Sequence, residues 1–435
     1  MSEANDLIAK NFGIRNGTLL FDESIRVDEI VDKFGTPIFV YDSSVLDRKL
    51  KLLRETLPEE FFISYSVKAN PCQAILKYFI RSGCGMEIAS GGEFYQAQQA
   101  GCESKSIVFA GPGKTEEELA FVLSNGIGEI HVESALEIDR IAKISEKFGL
   151  KANVAIRVNP TVEALGGAMR MGGKATPFGI DEEVLVKVVD KIEANPFLSF
   201  CGIHLFSGTQ ILDPLVLLAQ FRKGISTARE LVKKIGRPLN TIDFGGGWGV
   251  PYFEKEVELD AKKIAEGLEK LMKEVRGDKA FYQTKFMVEP GRFLVAEAGV
   301  YVTRITDIKV SREKKFLIVD GGMHHHLAAS GNLGQVIKKN FPMGILNKLT
   351  ENAEEVIDIV GPLCTPLDVL ARQIRLPKTS IGDLVGVFNS GAYGRTSSPL
   401  QFLSHCNPPE FLVENRKVKM IRKRGSYEDL IRDCC

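Results

Sequence analysis

The chain has 435 residues, which at roughly 100–200 residues per domain points to about two domains. Lys and Arg together number 56 and Asp and Glu 56, so the formal net charge is +0, and the basic surplus that nucleic-acid or anionic-membrane binding needs is missing. A content of 44% hydrophobic and 26% charged residues is that of an ordinary globular protein and excludes disorder as the main theme.

In chain order, the opening MSEANDLIAK lacks a signal-peptide core, and no apolar run approaches the roughly 18–20 residues of a membrane helix. The expectation is a cytoplasmic protein with no membrane partner. Residues 1–35, with NGTLLFDESI, are expected to pack on a β domain and add a strand to it. From Thr36 to residue 295, β-branched runs alternate with amphipathic stretches, the rhythm of a parallel sheet with crossover helices. After the opening run PIFVYD the predicted strands are 61–69, 85–90, 106–111, 129–134, 153–160, 199–207, 241–247 and 285–291. Eight strand–helix units predict a TIM (β/α)8 barrel. Residues 296–435 change character: VYVTRITDIKV, KKFLIVDGG, EEVIDIVGPLC, VLARQIRLP, DLVGVFNSGAY and EFLVENRKVKMIRKRG predict a second, mostly β domain.

Two phosphate signatures fail on inspection. GPGKT at 111–115 has Val108 where a P-loop needs its first glycine, and GGGWG at 245–249 is followed by Val250 rather than the glycine of a dinucleotide fingerprint. The eight cysteines show no C-x-x-C spacing, and the terminal Cys434–Cys435 pair reads as a loose tail. His324–His326 are adjacent and cannot converge on one ion from a strand or tight turn, so no metal is expected. His204 reads equally as a satisfied core histidine; His405, Cys406 and Tyr427 give no interpretable signal.

The remaining chemistry falls at strand C-termini, the face on which barrels build active sites. Lys68 ends the first strand, where desolvation would favour a neutral, nucleophilic amine, though position alone favours a solvated strand-end lysine. Gly245–Gly247 end the seventh strand and Glu289-Pro290-Gly291-Arg292 the eighth, the loops that often bind phosphate in barrels. Lysine, phosphate cradle and carboxylate make the set that pyridoxal phosphate needs; a Schiff-base aldolase would not need Glu289.

YSVKAN, EIASGGE, FAGPGKT, RVNP, GIHLFSGTQ, DFGGGWGVPY, EPGR, VDGGM, GPLCTPLD and GAYG, in that order, resemble the fold type III pyridoxal-phosphate decarboxylases, which include diaminopimelate, ornithine and arginine decarboxylases. The resemblance implies an alanine-racemase-type barrel and the cofactor pyridoxal 5'-phosphate. It implies Lys68 as the Schiff-base lysine, Glu289 as the partner of the pyridine nitrogen, and Glu87 and Phe206 as further cofactor-binding residues. Gly245, Gly246, Gly247, Thr209, Arg292 and Tyr393 are implied as phosphate contacts or near neighbours. It also implies a homodimer in which Cys364 reaches the other subunit's site, with Cys364 or Lys68 protonating the carbanion. Arg292, Tyr393 and Asp368 are candidate substrate contacts, with Asp368 either gripping an amine or tying down its loop.

Departures from the family bear on the substrate. Thr365 follows Cys364 where diaminopimelate enzymes have glutamate, Phe206 stands where a histidine usually stacks on the cofactor, and HHHLAAS replaces a segment that usually supplies an arginine. VDGGMHHH, GPLCTPLD, SPLQFLSH and the stretch 169–179 are similar to the decarboxylase acting on carrier-bound glutamate in butirosin assembly. LCTPLD and FLSH are shared with citryl-diaminopropionate decarboxylases. The expectation is α-decarboxylation of a conjugated or carrier-tethered L-amino acid. The alternatives are meso-diaminopimelate decarboxylation for lysine synthesis and a catalytically silent cofactor-binding regulator.

Overall fold

The computed structural model describes residues 8, 10–161, 169–170 (backbone), 175–206, 208–253 and 255–435. Part of the 169–179 stretch, and Ser207 of GIHLFSGTQ, lie outside them. The chain divides into two compact units, one of Lys51–Val250 and Val257–Phe293, the other of Met1–Leu50, Pro251–Glu256 and Leu294–Cys435.

The first unit is a closed parallel barrel. Its strands, in order, are Phe61–Ser66, Gly85–Ile88, Ile107–Phe109, Glu129–Val132, Ala152–Asn159, Leu198–Leu205, Thr241–Asp243 and Lys285–Val288. The eighth pairs with the first and the fourth with the fifth, so no edge is left among them and the predicted barrel is shown. Being covered on both faces, the strands are rich in apolar residues, and their buried residues include Tyr65, Met86, Ile130, Ile156 and Ile242. Amphipathic helices such as Gln73–Arg81, Ala135–Phe148 and Ala261–Arg276 return the chain. The GPGKT segment serves one of them: Thr115 caps helix Glu116–Ser124, accepting from Glu118 N while the Glu118 carboxylate accepts from Thr115 N.

The second unit is the predicted β domain. Its 13-residue strand Gly299–Ser311 pairs antiparallel with Ile38–Asp42, Leu384–Val387 and Lys314–Val319. The run PIFVYD, read from sequence as the opening of the 36–295 barrel segment, is therefore a central strand here, all five of its residues Ile38–Asp42 buried between Gly299–Val302 and Glu410–Val413. An apolar run of five looks the same in either kind of sheet, which is why sequence could not assign it. Residues 13–26 add no strand to that sheet and make a three-stranded one of their own.

Candidate active site

The barrel strands deliver a group of ionisable side chains at their C-terminal ends. Lys68 lies in the 3-10 turn Val67–Ala69 just past the first strand, and its Nζ donates to both Glu87 oxygens at 2.8 and 2.9 Å. Glu87 is buried on the second strand and also accepts from Ser66 Oγ. Of the two readings of Lys68 from its position, the solvated strand-end lysine is the one seen, for its side chain is 44% exposed and ion-paired. Glu93, opening the next helix, is pushed up to about 7 by burial first and then by the Glu87 charge.

Glu289 follows the eighth strand and is 5% exposed. Its Oε2 lies 3.2 Å from His204 Nε2 on the sixth strand, and its Oε1 lies 3.8 Å from His131 Nδ1 on the fourth. Burial pushes the Glu289 carboxyl up, but His204, His131 and Lys68 outweigh it and hold the group below its ordinary value. Asp243, ending the seventh strand, goes the other way, raised by burial and then by the Glu289 charge, while its Oδ1 accepts from Gly245 N at 2.8 Å. Two carboxyl groups so close cannot both ionise cheaply, and the charge settles on the one facing imidazoles.

Gly245–Gly247 pass between these groups. A Cβ on Gly246 would stand 2.5 Å from the Glu289 carbonyl oxygen, and one on Gly245, at φ +66°, would stand 2.7 Å from the Leu205 carbonyl. Only glycine lets the backbone run this close. Thr209 sits in a two-residue antiparallel pairing with Met169, and Gly247 O accepts from Ile211 N at 2.9 Å. Phe206 is half-buried, with the Arg157 guanidinium 5.7 Å from its ring centroid. Arg292 is half-buried at the start of the short helix Arg292–Val295.

A charged network that sequence reading missed supports the loops after strands three to five. Buried Lys114 donates to Gly111 O, His131 O and Glu137 Oε1, each at 2.7 Å. Glu133 takes Arg157 Nη1 at 2.8 Å and the N–H groups of Gly111 and Gly179. Burial raises Glu133, but Arg157 and Lys114 bring it below its ordinary value. The signal was present in EIHVES: Glu129, His131 and Glu133 alternate and are all buried, a polar face where a barrel strand would otherwise be apolar.

The other expected site residues belong to the β unit. Cys364 is exposed, on the loop from Gly361 to Asp368. Asp368 is 2% exposed, its Oδ1 accepting from Met323 N at 2.6 Å and its Oδ2 from Leu363 N at 2.9 Å. Of its two readings, the loop tether is the one with visible contacts. Tyr393 is half-buried with φ 52°. His326 is anchored through Nε2 to Ser390 Oγ at 2.9 Å and through Nδ1 to Ala329 N at 3.3 Å, and His325 Nδ1 meets Tyr301 OH at 3.1 Å. His324 stacks between His325 and His405, with ring centroids 3.7 and 4.7 Å away.

The barrel residues fit pyridoxal phosphate. An exposed lysine amine, a buried carboxylate whose Oε1 has no hydrogen-bond partner among the described residues, and a glycine run without side chains all stand at strand C-termini. Residues 43–296 match the family described as pyridoxal-dependent decarboxylase, pyridoxal binding domain. The L-glutamyl-(BtrI acyl-carrier protein) decarboxylase of Niallia circulans is 37% identical over 412 residues, 94% of this chain and 96% of that one. A diaminopimelate decarboxylase of Zymomonas mobilis is 34% identical over 431 residues, 97% of this chain and 98% of that one. The crystal structure of diaminopimelate decarboxylase from Methanocaldococcus jannaschii superposes with a TM-score of 0.89 at 28% identity, covering 99% of this chain and 98% of that chain. This chain thus belongs to the fold type III pyridoxal-phosphate-dependent decarboxylases and is a carboxy-lyase acting on an amino acid.

Proposed function

We propose that the enzyme removes the α-carboxylate of an L-amino acid presented as a conjugate, on an acyl carrier or a bulky acid, rather than of free diaminopimelate. The observation that carries this reading is the chemistry around Cys364. Thr365 follows it in place of a glutamate, the Asp368 carboxylate is occupied by two backbone N–H groups, and burial pushes His324 and His326 to about 3, which leaves them neutral. Thr365, the occupied Asp368 and the neutral His324 and His326 offer no charge to a short amino acid's distal end, and such a lining tolerates an extended, uncharged linkage. The relative acting on a carrier-bound glutamyl group supports it. Diaminopimelate decarboxylation is the second reading, supported by relatives of that name at 30–34% identity.

When bound, pyridoxal phosphate supplies an electron sink for the pair released from Cα as CO2 leaves. Lys68 would hold the cofactor covalently through Nζ, which Glu87 keeps at the strand end by two hydrogen bonds. Glu289 would present Oε1 to the ring nitrogen and keep a proton there. Gly245–Gly247 would bring backbone N–H groups to the phosphate, with Thr209 and Arg292 near it, and Phe206 would lie against the ring. Cys364, contributed across a homodimer, or Lys68 would return a proton to Cα.

The test is CO2 release by cofactor-loaded enzyme from free diaminopimelate, a carrier-bound glutamyl thioester and a citryl-linked diamino acid. Turnover of the conjugates alone is expected; efficient turnover of free diaminopimelate overturns the substrate reading. Lys68→Ala is expected to abolish both turnover and the visible cofactor band. Mixing Lys68→Ala with Cys364→Ala chains should restore part of the activity if Cys364 crosses the dimer, and no recovery would sink that assignment.

A further inference from the structure

We propose that His204 and His131 are positioning residues for this reaction: a stacked imidazole pair, anchored by Glu129, that holds the Glu289 carboxylate in place. His131 Nε2 lies 3.1 Å from Glu129 Oε1, whose other oxygen accepts from Thr241 Oγ1 at 2.9 Å. With Glu129 taking the Nε2 proton, His131 is fixed in one orientation. Its ring lies against that of His204, centroids 4.5 Å apart and planes 31° apart. His204 then sets its Nε2 3.2 Å from Glu289 Oε2. The three residues come from strands four, six and eight, and a line of contacts runs from Thr241 on the seventh strand to the carboxylate that would face the ring nitrogen. The inference rests on that role of Glu289.

The alternative is that two histidines merely fill the barrel. Several facts oppose it. His131 is 0%, His204 1% and Glu289 5% exposed, so no water shell solvates that carboxylate, and a buried charge without a partner is costly. Apolar side chains fill such space without that cost. Glu289 Oε2 has the His204 Nε2 atom 3.2 Å away, a close approach without hydrogen-bond geometry, while Oε1 has no hydrogen-bond partner among the described residues. One oxygen thus faces an imidazole nitrogen and the other faces none as closely. The remaining charged groups facing this cluster are Lys68, Asp243, Lys285 and Arg157. Asp243 is pushed up by burial and by Glu289, so it does not compete for the same charge. Burial, then the neighbouring His131, lower His204 to about 4 even against Glu289, which makes it a neutral donor at ordinary pH rather than a counter-ion.

Two substitutions at one position separate the readings. His204→Phe keeps a ring and removes the donor; His204→Gln keeps a donor and removes the ring. For a positioning role, His204→Phe is expected to lower kcat about tenfold with little change in KM and to shift the pH midpoint of the visible cofactor band. His204→Gln should recover to within about threefold of the parent. A filler would give the reverse order, Phe tolerated and Gln not, and that result overturns the proposal. In a Glu289→Gln background the His204→Phe penalty should shrink to about twofold or less; an undiminished penalty also overturns it. Should His204→Phe not fold, Glu129→Gln leaves both rings in place and is expected to move the same midpoint, and an unmoved midpoint removes the anchored pair. The band needs no substrate, so none of these outcomes depends on which amino acid is turned over. Glu289→Gln alone without effect on band or kcat would instead strike out the role of Glu289, and the pair's role with it.

Discussion

Asp368 holds two backbone N–H groups on one buried carboxylate, so its removal acts through the loop that carries Cys364. Asp368→Ala leaves Met323 N and Leu363 N unpaired, and at about 1–3 kcal/mol for each buried unsatisfied group the expected loss is about 2–6 kcal/mol in chemical denaturation. Were it a substrate grip instead, Asp368→Asn would raise KM and leave the denaturation midpoint alone. Gly246→Ala would set a methyl 2.5 Å from the Glu289 carbonyl, against backbone that cannot step aside. Loss of cofactor binding is expected, with about 1–3 kcal/mol of destabilisation, read by cofactor titration and melting. At this scale the sequence was informative about which residues stand at strand ends, as for Lys68, Gly245–Gly247 and Glu289. It was silent on Glu129, His131, Glu133, Lys114 and Arg157, because their meaning lies in partners on other strands. It was silent too on the ion pair of Lys68, since the pairing with Glu87 is a property of two neighbouring strands and not of either alone.

Among the elements, the eight barrel strands were legible because each is a short apolar run bounded by turn residues and followed by a helical period. The strand Ile38–Asp42 shows the limit of that reasoning, for the next segment, Ser43–Thr56, is a helix as after a barrel strand. Pairing partners more than 250 residues away decide its sheet, and no local pattern reports them. The threonine of GPGKT has a local role that can be measured. Thr115→Ala removes the capping box of helix Glu116–Ser124 and should cost about 1 kcal/mol, while Thr115→Ser should cost little. An unchanged stability in Thr115→Ala would show that tertiary packing alone starts this helix. Gly202 sits at an irregularity between the fifth and sixth strands, where a Cβ would fall on the Thr241 carbonyl, so strand register there depends on a missing side chain.

For the molecule as a whole, the neutral buried histidines set the acid limit. His204 is lowered to about 4, His324 and His326 to about 3, all by burial first. Unfolding frees each to take a proton near its ordinary 6.5, so the unfolded chain binds more protons at every pH between there and the folded values. Their contribution is complete above pH 6.5 and is lost as the pH falls toward 4 and then 3, by about 1.4 kcal/mol per pH unit for each group. Melting temperature should therefore fall steeply from pH 6 to 4, and His326→Gln should lower the slope by one proton; an unchanged slope would mean that His326 titrates while folded. No helix among the described residues is long and apolar enough to cross a membrane.

The division of the chain has a consequence for biosynthesis. The large sheet of the β unit takes its first strand from residues 38–42 and that strand's antiparallel partner from 299–302, with the barrel strands encoded between them. On a ribosome adding about 5–20 residues per second, Ile38–Asp42 leaves the tunnel roughly 10–50 s before its neighbour exists. During that interval a five-residue segment that is wholly buried in the finished protein has no strand to pair with on either side. A chain arrested after the barrel would keep this segment unpaired indefinitely, with both ladder edges open to other chains. Premature termination near residue 295 therefore yields an aggregation-prone barrel rather than a clean single domain, and chaperone dependence should be greatest for nascent chains that have not yet reached Gly299.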